Sequence, residues 1–427
     1  MNADRLDSSA WRAGNRVQLL ENGEGFFPRA FAAIEQAQEE ILLETFIIFE
    51  DKVGQQLQRA LIAAANRGVR IQMTIDGFGS SKLSPIYLDA LTLAGVQLHI
   101  FDPASKWAGM RLNIFRRLHR KILVIDAQRA FIGGINFSAD HLADFGPLSK
   151  QDYSVEIEGP VVTDIHRFTL SAFASPTAHP RWRRPTTLHS SAQPPVKPTP
   201  NQNPKDSAKA LFVTRDNQQH RTDIEQHYLQ AIRQARTRII IANAYFFPGY
   251  RLLRALRNAA RRGVQVCLIL QGQPNMPIAQ WLARMLYNYL LRDGVLIYEY
   301  NQRPLHGKVA LIDYEWSTVG SSNLDPLSLS LNLEANLLIR DAAFNRNLKR
   351  HLDEMVSLHC TRISLERMVR GYFWRAPLIF LCFHFLRHFP AMAGWLPAHQ
   401  PRLAAPSEVV QGLEEAPQAP EEANERH

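Results

Sequence analysis

The chain has 427 residues, 46% of them hydrophobic and 21% charged, a balance that suits two or three globular domains with sizeable cores. Its formal charge of +9 points to an anionic partner, either nucleic acid or an acidic membrane surface, without choosing between them. Three cysteines, Cys267, Cys360 and Cys382, are too few and too scattered for a disulfide framework or a metal-binding cluster, and they suit a reducing compartment.

The opening stretch, MNADRLDSSAWRAGNRVQLLENG, has no continuous apolar core, so neither a signal peptide nor a membrane anchor is expected there. FFPRAFAAIEQAQEE (26–40) has the apolar spacing of an amphipathic helix, and ILLETFIIF (41–49) reads as a buried strand. GQQLQRALIAAANRGVRIQMTID (54–76) reads as a helix ending at Gly68 and running into another strand. Residues 176–204 hold eight prolines, too many for a packed element, and are expected to form a linker or a surface excursion. The plan then recurs. IEQHYLQAIRQARTRIIIANAYFF (224–247) is helix then strand, and YRLLRALRNAARRGVQVCLIL (250–270) is helix, Gly263, strand. Strands alternating with helices predict an α/β fold of two lobes, each with a largely parallel sheet covered on both faces.

Near the C-terminus, twelve residues between Pro377 and Pro390 would make roughly 18 Å of helix at about 1.5 Å per residue. That is too short to cross a hydrocarbon core of about 30 Å. His384, Arg387 and His388 share one face of this stretch, and Trp374 and Trp395 flank it. It reads either as a helix lying in the headgroup plane or as one packed across the two lobes. The tail from about residue 401 is rich in Pro, Ala and Glu and is expected to be disordered. No stretch reaches the roughly 20 apolar residues of a spanning helix, so a cytosolic protein is expected, unless it is held on a membrane surface.

LHRKILVID (118–126) and LHGKVALID (305–313) carry the same pattern. His119, Lys121 and Asp126 each lie 187 positions before His306, Lys308 and Asp313. Gly133 and Asn136 keep that offset from Gly320 and Asn323. Across the two nineteen-residue segments seven positions are identical, and the polar types are kept while apolar residues between them are exchanged. Alternation along a strand explains one His-x-Lys pair, but it does not explain two copies at one offset, which mark an internal repeat.

Two copies of His-x-Lys-(x)4-Asp, each followed by Gly-x-x-Asn, resemble the phospholipase D superfamily. The flanking segments LLENGEGFFPRAFAAIEQAQEEILLETFIIFED, DYSVEIEGPVV, ANAYFFPGYRLLRAL and GVLIYEYNQRPLHGKVALID resemble bacterial cardiolipin synthases, and the lack of N-terminal membrane helices resembles their B subtype. The resemblance implies two αβα-sandwich lobes related by a pseudo-two-fold axis, with one active site at the lobe interface. It implies that His119 is the nucleophile and His306 the acid/base, a tie that sequence symmetry alone does not break. Asp126 and Asp313, although part of the motif, would support local architecture more than they touch phosphate.

The chemistry agrees. Neutral imidazole attacks a phosphodiester that repels charged oxygen nucleophiles, and a second imidazole protonates the departing alcohol. Lys121, Lys308, Asn136 and Asn323 would surround the non-bridging oxygens, so no metal or other cofactor is required. Asp152 and Glu334, which open the strands after each motif, are candidates to hold the far nitrogen of the histidines. Both also read as ordinary strand-end carboxylates.

The basic run KWAGMRLNIFRRLHRK (106–121), with Lys106, Arg111, Arg116, Arg117 and Arg120, reads either as a solvated loop or as an entry loop for anionic lipid headgroups. The expected organisation is a first lobe at 1–172, a linker at 173–207, a second lobe at 208–360, a membrane-associating segment at 361–400 and a tail at 401–427. The function expected is a phosphatidyltransferase, peripheral on the cytoplasmic face of the bacterial inner membrane. It would join two phosphatidylglycerols, with phosphatidylethanolamine or glycerol as alternative co-substrates. The rivals are a phospholipase D-type phosphodiesterase or nuclease and an inactive lipid-binding scaffold. No nucleic-acid partner is expected, and sequence leaves the oligomeric state open.

Overall fold

The computed structural model describes residues 10–103, 106–107, 110–111, 117–173, 208–272, 284, 286–365 and 403–404. The Pro-rich stretch at 176–204, residues 374–397, nearly all of the tail and much of the basic run lie outside the described residues.

The first lobe opens with β1 (Arg12–Glu21), α1 (Asn22–Gln36), β2 (Glu40–Thr45), α2 (Lys52–Asn66), β3 (Arg70–Asp76), α3 (Pro85–Leu93) and β4 (Gln97–Phe101). A short hairpin of β5 (Lys106–Trp107) and β6 (Met110–Arg111) follows. The lobe continues with β7 (Ile122–Ile125), β8 (Arg129–Gly133), β9 (Tyr153–Glu158) and α4 (Val161–Phe173). The second lobe repeats the plan: β10 (Ala208–Arg215), α5 (Asp223–Gln234), β11 (Arg238–Asn243), α6 (Tyr250–Arg261), β12 (Gln265–Gln271) and β13 (Leu296–Tyr300). It then runs through β14 (Lys308–Ile312), β15 (Trp316–Gly320), α7 (Pro326–Ser330), β16 (Glu334–Arg340), α8 (Ala342–His359) and β17 (Cys360–Arg362).

Local chemistry sets the element ends. The Asp51 carboxylate accepts from the N–H groups of Val53 and Gly54 to start α2, and Ser84 caps α3 with Pro85 in its first turn. After α2 and α6 the chain turns at Gly68 (φ +92) and Gly263 (φ +88), a left-handed conformation that glycine adopts without steric cost.

The sheets are mixed, which corrects the expectation of largely parallel ones. β2–β3–β4 and β11–β12–β13 are parallel, but β7, β8 and β9, like β14, β15 and β16, pair antiparallel. Three residues connect β7 to β8, which leaves room for a hairpin and none for a crossover. β1 also joins by antiparallel pairing, to β9 along Arg16–Glu21 and to β10 at Arg12 and Asn15. With β18 at Leu403–Ala404, that seam links the two lobes in one strand order, β17-β13-β12-β11-β14-β15-β16-β10-β1-β9-β8-β7-β2-β3-β4-β18, nearly a palindrome about β10–β1. The end strand β18 (Leu403–Ala404) pairs with Phe101 and Ile100 of β4, so the expectation of a tail without structure from residue 401 fails at these two residues. The second sheet likewise runs past residue 360, through β17 to Arg362.

Three apolar cores result. α1, α2 and α3 cover one face of the first sheet, and α5 and α6 cover the matching face of the second. The third core takes residues from both lobes, among them Val124, Ile132, Val161 and Ile165 with Ile240, Val309, Leu337 and Leu348. The lobes are therefore packed together through a shared apolar layer. No helix among the described residues is long and apolar enough to cross a membrane.

The motif aspartates sit at the turns after β7 and β14, both with positive φ (Asp126 +50, Asp313 +51). Asp126 accepts from the N–H groups of Gln38, Glu39 and Glu40. Asp313 accepts from those of Arg236, Thr237 and Arg238 and from the Thr237 hydroxyl. Each clamps a hairpin to the start of the neighbouring strand. Asp126→Ala leaves three N–H groups without their acceptor. It is expected to destabilise the protein by about 2 kcal/mol in urea unfolding, with turnover by the folded fraction unchanged.

Candidate active site

Alternation along the extended segment before β7 places His119 and Lys121 on one side, and His306 and Lys308 repeat this at the start of β14. Each histidine ring takes its carboxylate from the other lobe. His119 Nδ1 lies 3.0 Å from both carboxylate oxygens of Glu334, at the start of β16. His306 Nδ1 lies 2.5 Å from Asp152 Oδ2, just before β9. The backbone makes the same exchange: His119 N–H donates to Leu333 O, Leu333 N–H to Arg117 O, and the N–H groups of His306 and Gly307 to Gln151 O. With Nδ1–H donated to a carboxylate, Nε2 of each ring is left as the reactive nitrogen.

Lys121 Nζ donates to His119 O at 2.8 Å and Lys308 Nζ donates to His306 O. Both lysines are buried, Lys308 to 1% exposure. Burial pulls Lys121 down to about 7 and Lys308 down to about 8; the carboxylates of Glu334 and Asp152 oppose both shifts, and the charge of Lys308 adds to the shift of Lys121. Burial also lowers His119, against the pull of Glu334, and lowers His306 well below the usual imidazole value, with Lys308 adding to the effect. Both imidazoles are therefore neutral near pH 7. The two carboxylates differ. Burial raises Asp152, whereas for Glu334 burial is outweighed by His119, Lys121 and Ser321, and its pKa falls. The Ser321 hydroxyl donates to Glu334 Oε2.

Asn136 and Asn323 follow β8 and β15. Asn136 Oδ1 accepts from Ile47 N–H at 3.3 Å, and Asn323 Oδ1 is buried without a hydrogen-bond partner. Phe46 sets its ring 5.0 Å from that of His119 and 5.1 Å from Lys121 Nζ. Asp126 and Asp313 lie at the far ends of β7 and β14, roughly five strand residues or about 16 Å from the lysines.

Within the basic run, the reading of Arg117 and Arg120 as solvated or lipid-recruiting is corrected. Arg117 is 4% exposed and pairs with Asp76 and Asp102, and Arg120 is 5% exposed and pairs with Glu44. Their charge is spent inside the first lobe.

Sequence reasoning passed over Ser321 and His141. His141 is fully buried beside Asp152 and His306, and its place five residues after Asn136 was the available signal. His141, Asp152 and His306 bring three potential ligand atoms within 4.8 Å of one another. Asp152 is already engaged by His306 Nδ1, and Lys308, Lys150 and Lys121 all bear electrostatically on His306. That field opposes a cation and favours an anion. The arrangement suits nucleophilic attack by one imidazole on a phosphodiester, proton transfer by the other, and charge stabilisation by two ammonium groups.

The family model described as "Cardiolipin synthase, PLD-like domain" matches residues 31–166 and 228–356. Cardiolipin synthase B of Escherichia coli (strain K12) is 54% identical over 395 residues, covering 92% of this chain and 93% of that protein. Cardiolipin synthase A of Pseudomonas fluorescens is 34% identical over 344 residues, covering 80% of this chain and 68% of that one. A crystal structure of phosphatidylserine synthase from Haemophilus influenzae Rd KW20 superposes with a TM-score of 0.64 over 89% of this chain and 95% of its own, at 14% identity, a likeness of fold. With the duplicated motif, the matched family model and these relatives over most of its length, the chain belongs to the cardiolipin synthases of the phospholipase D superfamily.

Proposed function

We propose that the enzyme transfers the phosphatidyl group of one phosphatidylglycerol to the headgroup hydroxyl of a second, releasing glycerol and forming cardiolipin. The observation that carries this reading is the pair of neutral histidines, each oriented by a carboxylate from the other lobe, beside two buried lysines.

His306, neutral in the free enzyme, takes up a proton on Nε2 as the anionic phosphodiester binds beside it. His119 Nε2 then attacks phosphorus, the P–O bond to glycerol breaks, and His306 gives that proton to the leaving oxygen. A phosphatidyl-His119 remains and His306 is neutral. The second phosphatidylglycerol then attacks phosphorus through its hydroxyl while His306 takes up the hydroxyl proton, and the P–N bond breaks to restore His119. Lys121 and Lys308, with the amides of Asn136 and Asn323, hold the non-bridging oxygens as charge builds on them. Asp152 and Glu334 keep the rings in register. The lysines supply this charge without a divalent ion. The protein works as a peripheral enzyme on the cytoplasmic face of the inner membrane, and the apolar residues of 374–397 with their flanking tryptophans support contact with the lipid surface.

Purified protein incubated with labelled phosphatidylglycerol liposomes in EDTA is expected to yield labelled cardiolipin and free glycerol. His119→Ala and His306→Ala are each expected to leave under about 1% of that rate, a loss in keeping with removal of a nucleophile or its acid/base partner. Phosphatidic acid as the main product would instead make the enzyme a hydrolase, and loss of activity in EDTA restored by a divalent ion would contradict the role of the lysines.

The lysines also set a pH dependence. Each works as a cation, and a cation is lost as pH rises through its pKa, here about 7 for Lys121 and about 8 for Lys308 in the free enzyme. kcat/KM is therefore expected to fall as pH rises across that window. The limb in kcat should lie higher, because bound phosphate holds the lysines charged. Rate profiles at saturating and limiting lipid would check both.

Replacing residues 374–397 by a Gly/Ser linker, with Leu403 and Ala404 kept, is expected to abolish co-sedimentation with phosphatidylglycerol vesicles. Turnover of detergent-dispersed lipid should stay within about twofold, and loss of that turnover would show that the segment packs between the lobes.

A further inference from the structure

We propose that His141 is a positioning residue for the proposed proton-transfer step, acting through Asp152 on His306. This rests on the assignment of His306 as the acid/base. The duplication diverges here: 187 positions after His141 stands Ser328, whose hydroxyl donates to Asp325 within α7. His141 belongs to a 3-10 turn, Ala139–His141, in the loop between β8 and β9, and its side chain has no solvent exposure.

The ring orientation is set by the backbone. Asn136 N–H donates to His141 Nε2 at 3.2 Å, so the neutral ring carries its proton on Nδ1. That Nδ1 faces Asp152 Oδ2 at 3.8 Å and has no hydrogen-bond partner. The same Oδ2 accepts from His306 Nδ1, and the rings of His141 and His306 meet edge to face at 5.7 Å. Burial pushes His141 down to about 4, so it serves as a neutral donor across the working pH range. The charged and titratable groups around it are Asp140, whose Oδ1 lies 3.7 Å from Nε2, Lys150 held by Asp140, Asp152, Lys308 and His306.

The other half of the site is built differently. Glu334 receives the Ser321 hydroxyl. The position equivalent to Ser321 is Gly134, where an added Cβ would lie 2.3 Å from Asp152 Oδ1. A serine is sterically excluded there, and an imidazole approaches the carboxylate from elsewhere. The difference matters because Asp152 is raised by burial and competes with His306 for the proton on Nδ1. A second N–H directed at Oδ2 favours the carboxylate anion, and the 3.8 Å gap needs to close by only about 0.8 Å to make a hydrogen bond. The donor thus holds the Nδ1 proton on His306 and keeps its Nε2 in the form that exchanges protons with glycerol and the incoming hydroxyl.

The test compares His141→Phe, which keeps ring volume and the edge contact, with His141→Asn, whose amide can place a donor where Nδ1 stands. Phosphatidyl transfer is measured against pH in mixed micelles, and the phosphatidyl-peptide is mapped after acid-free quenching. In His141→Phe, kcat is expected to fall about tenfold with KM within about twofold. The acid limb of kcat should move to higher pH, because an unrelieved Asp152 makes His306 more basic. His141→Asn should recover at least half of that pH shift. Phe and Asn variants with the wild-type limb, or with equal losses and no shift, would overturn the proposal and leave His141 a packing residue. If His141→Phe does not fold, as judged by thermal unfolding, His141→Leu takes its place beside His141→Asn: a limb displaced in His141→Leu and restored in His141→Asn supports the donor role, and any other pair of limbs overturns it. Mapping the label in the wild-type enzyme to the His306 peptide would overturn the assignment of the two histidines, and with it this proposal, whereas a label on His119 together with unshifted variants overturns the proposal alone.

Discussion

Each motif histidine takes its carboxylate from the opposite lobe, and the candidate site depends on that exchange. Glu334 opens a strand of the second lobe yet orients His119, and Asp152 precedes a strand of the first yet orients His306. Backbone hydrogen bonds from the residues beside each carboxylate repeat the crossing. In the docked molecule His119, Asp152 and Glu334 are buried and His306 is mostly so, and each has its hydrogen-bond partner in the other lobe, without which burial would be costly in a low-dielectric interior. Docking the lobes satisfies all four groups at once. The apolar layer that both lobes share and the β1–β10 seam keep them docked.

The electrostatic design follows from the same burial. Burial lowers both Lys121 and Lys308, the charge of Lys308 lowers Lys121 further, and both titrate near neutrality. An arriving phosphodiester stabilises both ammonium groups, so the site is most strongly cationic when an anion occupies it. Arg117 and Arg120, beside the first motif, do not join in. Both are neutralised, by Asp76, Asp102 and Glu44, which rigidifies the segment carrying His119 without adding free charge. The motif aspartates act at a distance too, clamping the far ends of β7 and β14 to the strands beside them. The stretch from His119 to Asp126 is thereby fixed at both ends, by Glu334 at one and by backbone N–H groups at the other.

Much of this was legible in the chain. The 187-residue offset announced the duplication, the lobes and the pairing of two histidines with two lysines, because polar groups that do chemistry are retained while the apolar residues around them drift. Helix–Gly–strand units such as 54–76 and 250–270 were readable, because an amphipathic period followed by a left-handed glycine is a local signal. The balance of parallel and antiparallel strands was not. β1 and β10 carry no period strong enough to name them from sequence, and both owe their place to pairing with distant strands.

The sequence by itself determined the candidate reactive groups and their duplication, since a motif is local and its side chains keep their spacing along a strand whatever surrounds it. Only the tertiary structure decided which carboxylate meets which histidine, because that pairing joins residues 215 and 154 positions apart and depends on how the lobes dock. It decided as well that Arg117 and Arg120 face inward to buried acids, and that His141 stands against Asp152 where the repeat has no counterpart. Burial, charge pairing and the shifted pKa values all arise from what packs around a residue, and that surrounding is assembled from the whole chain.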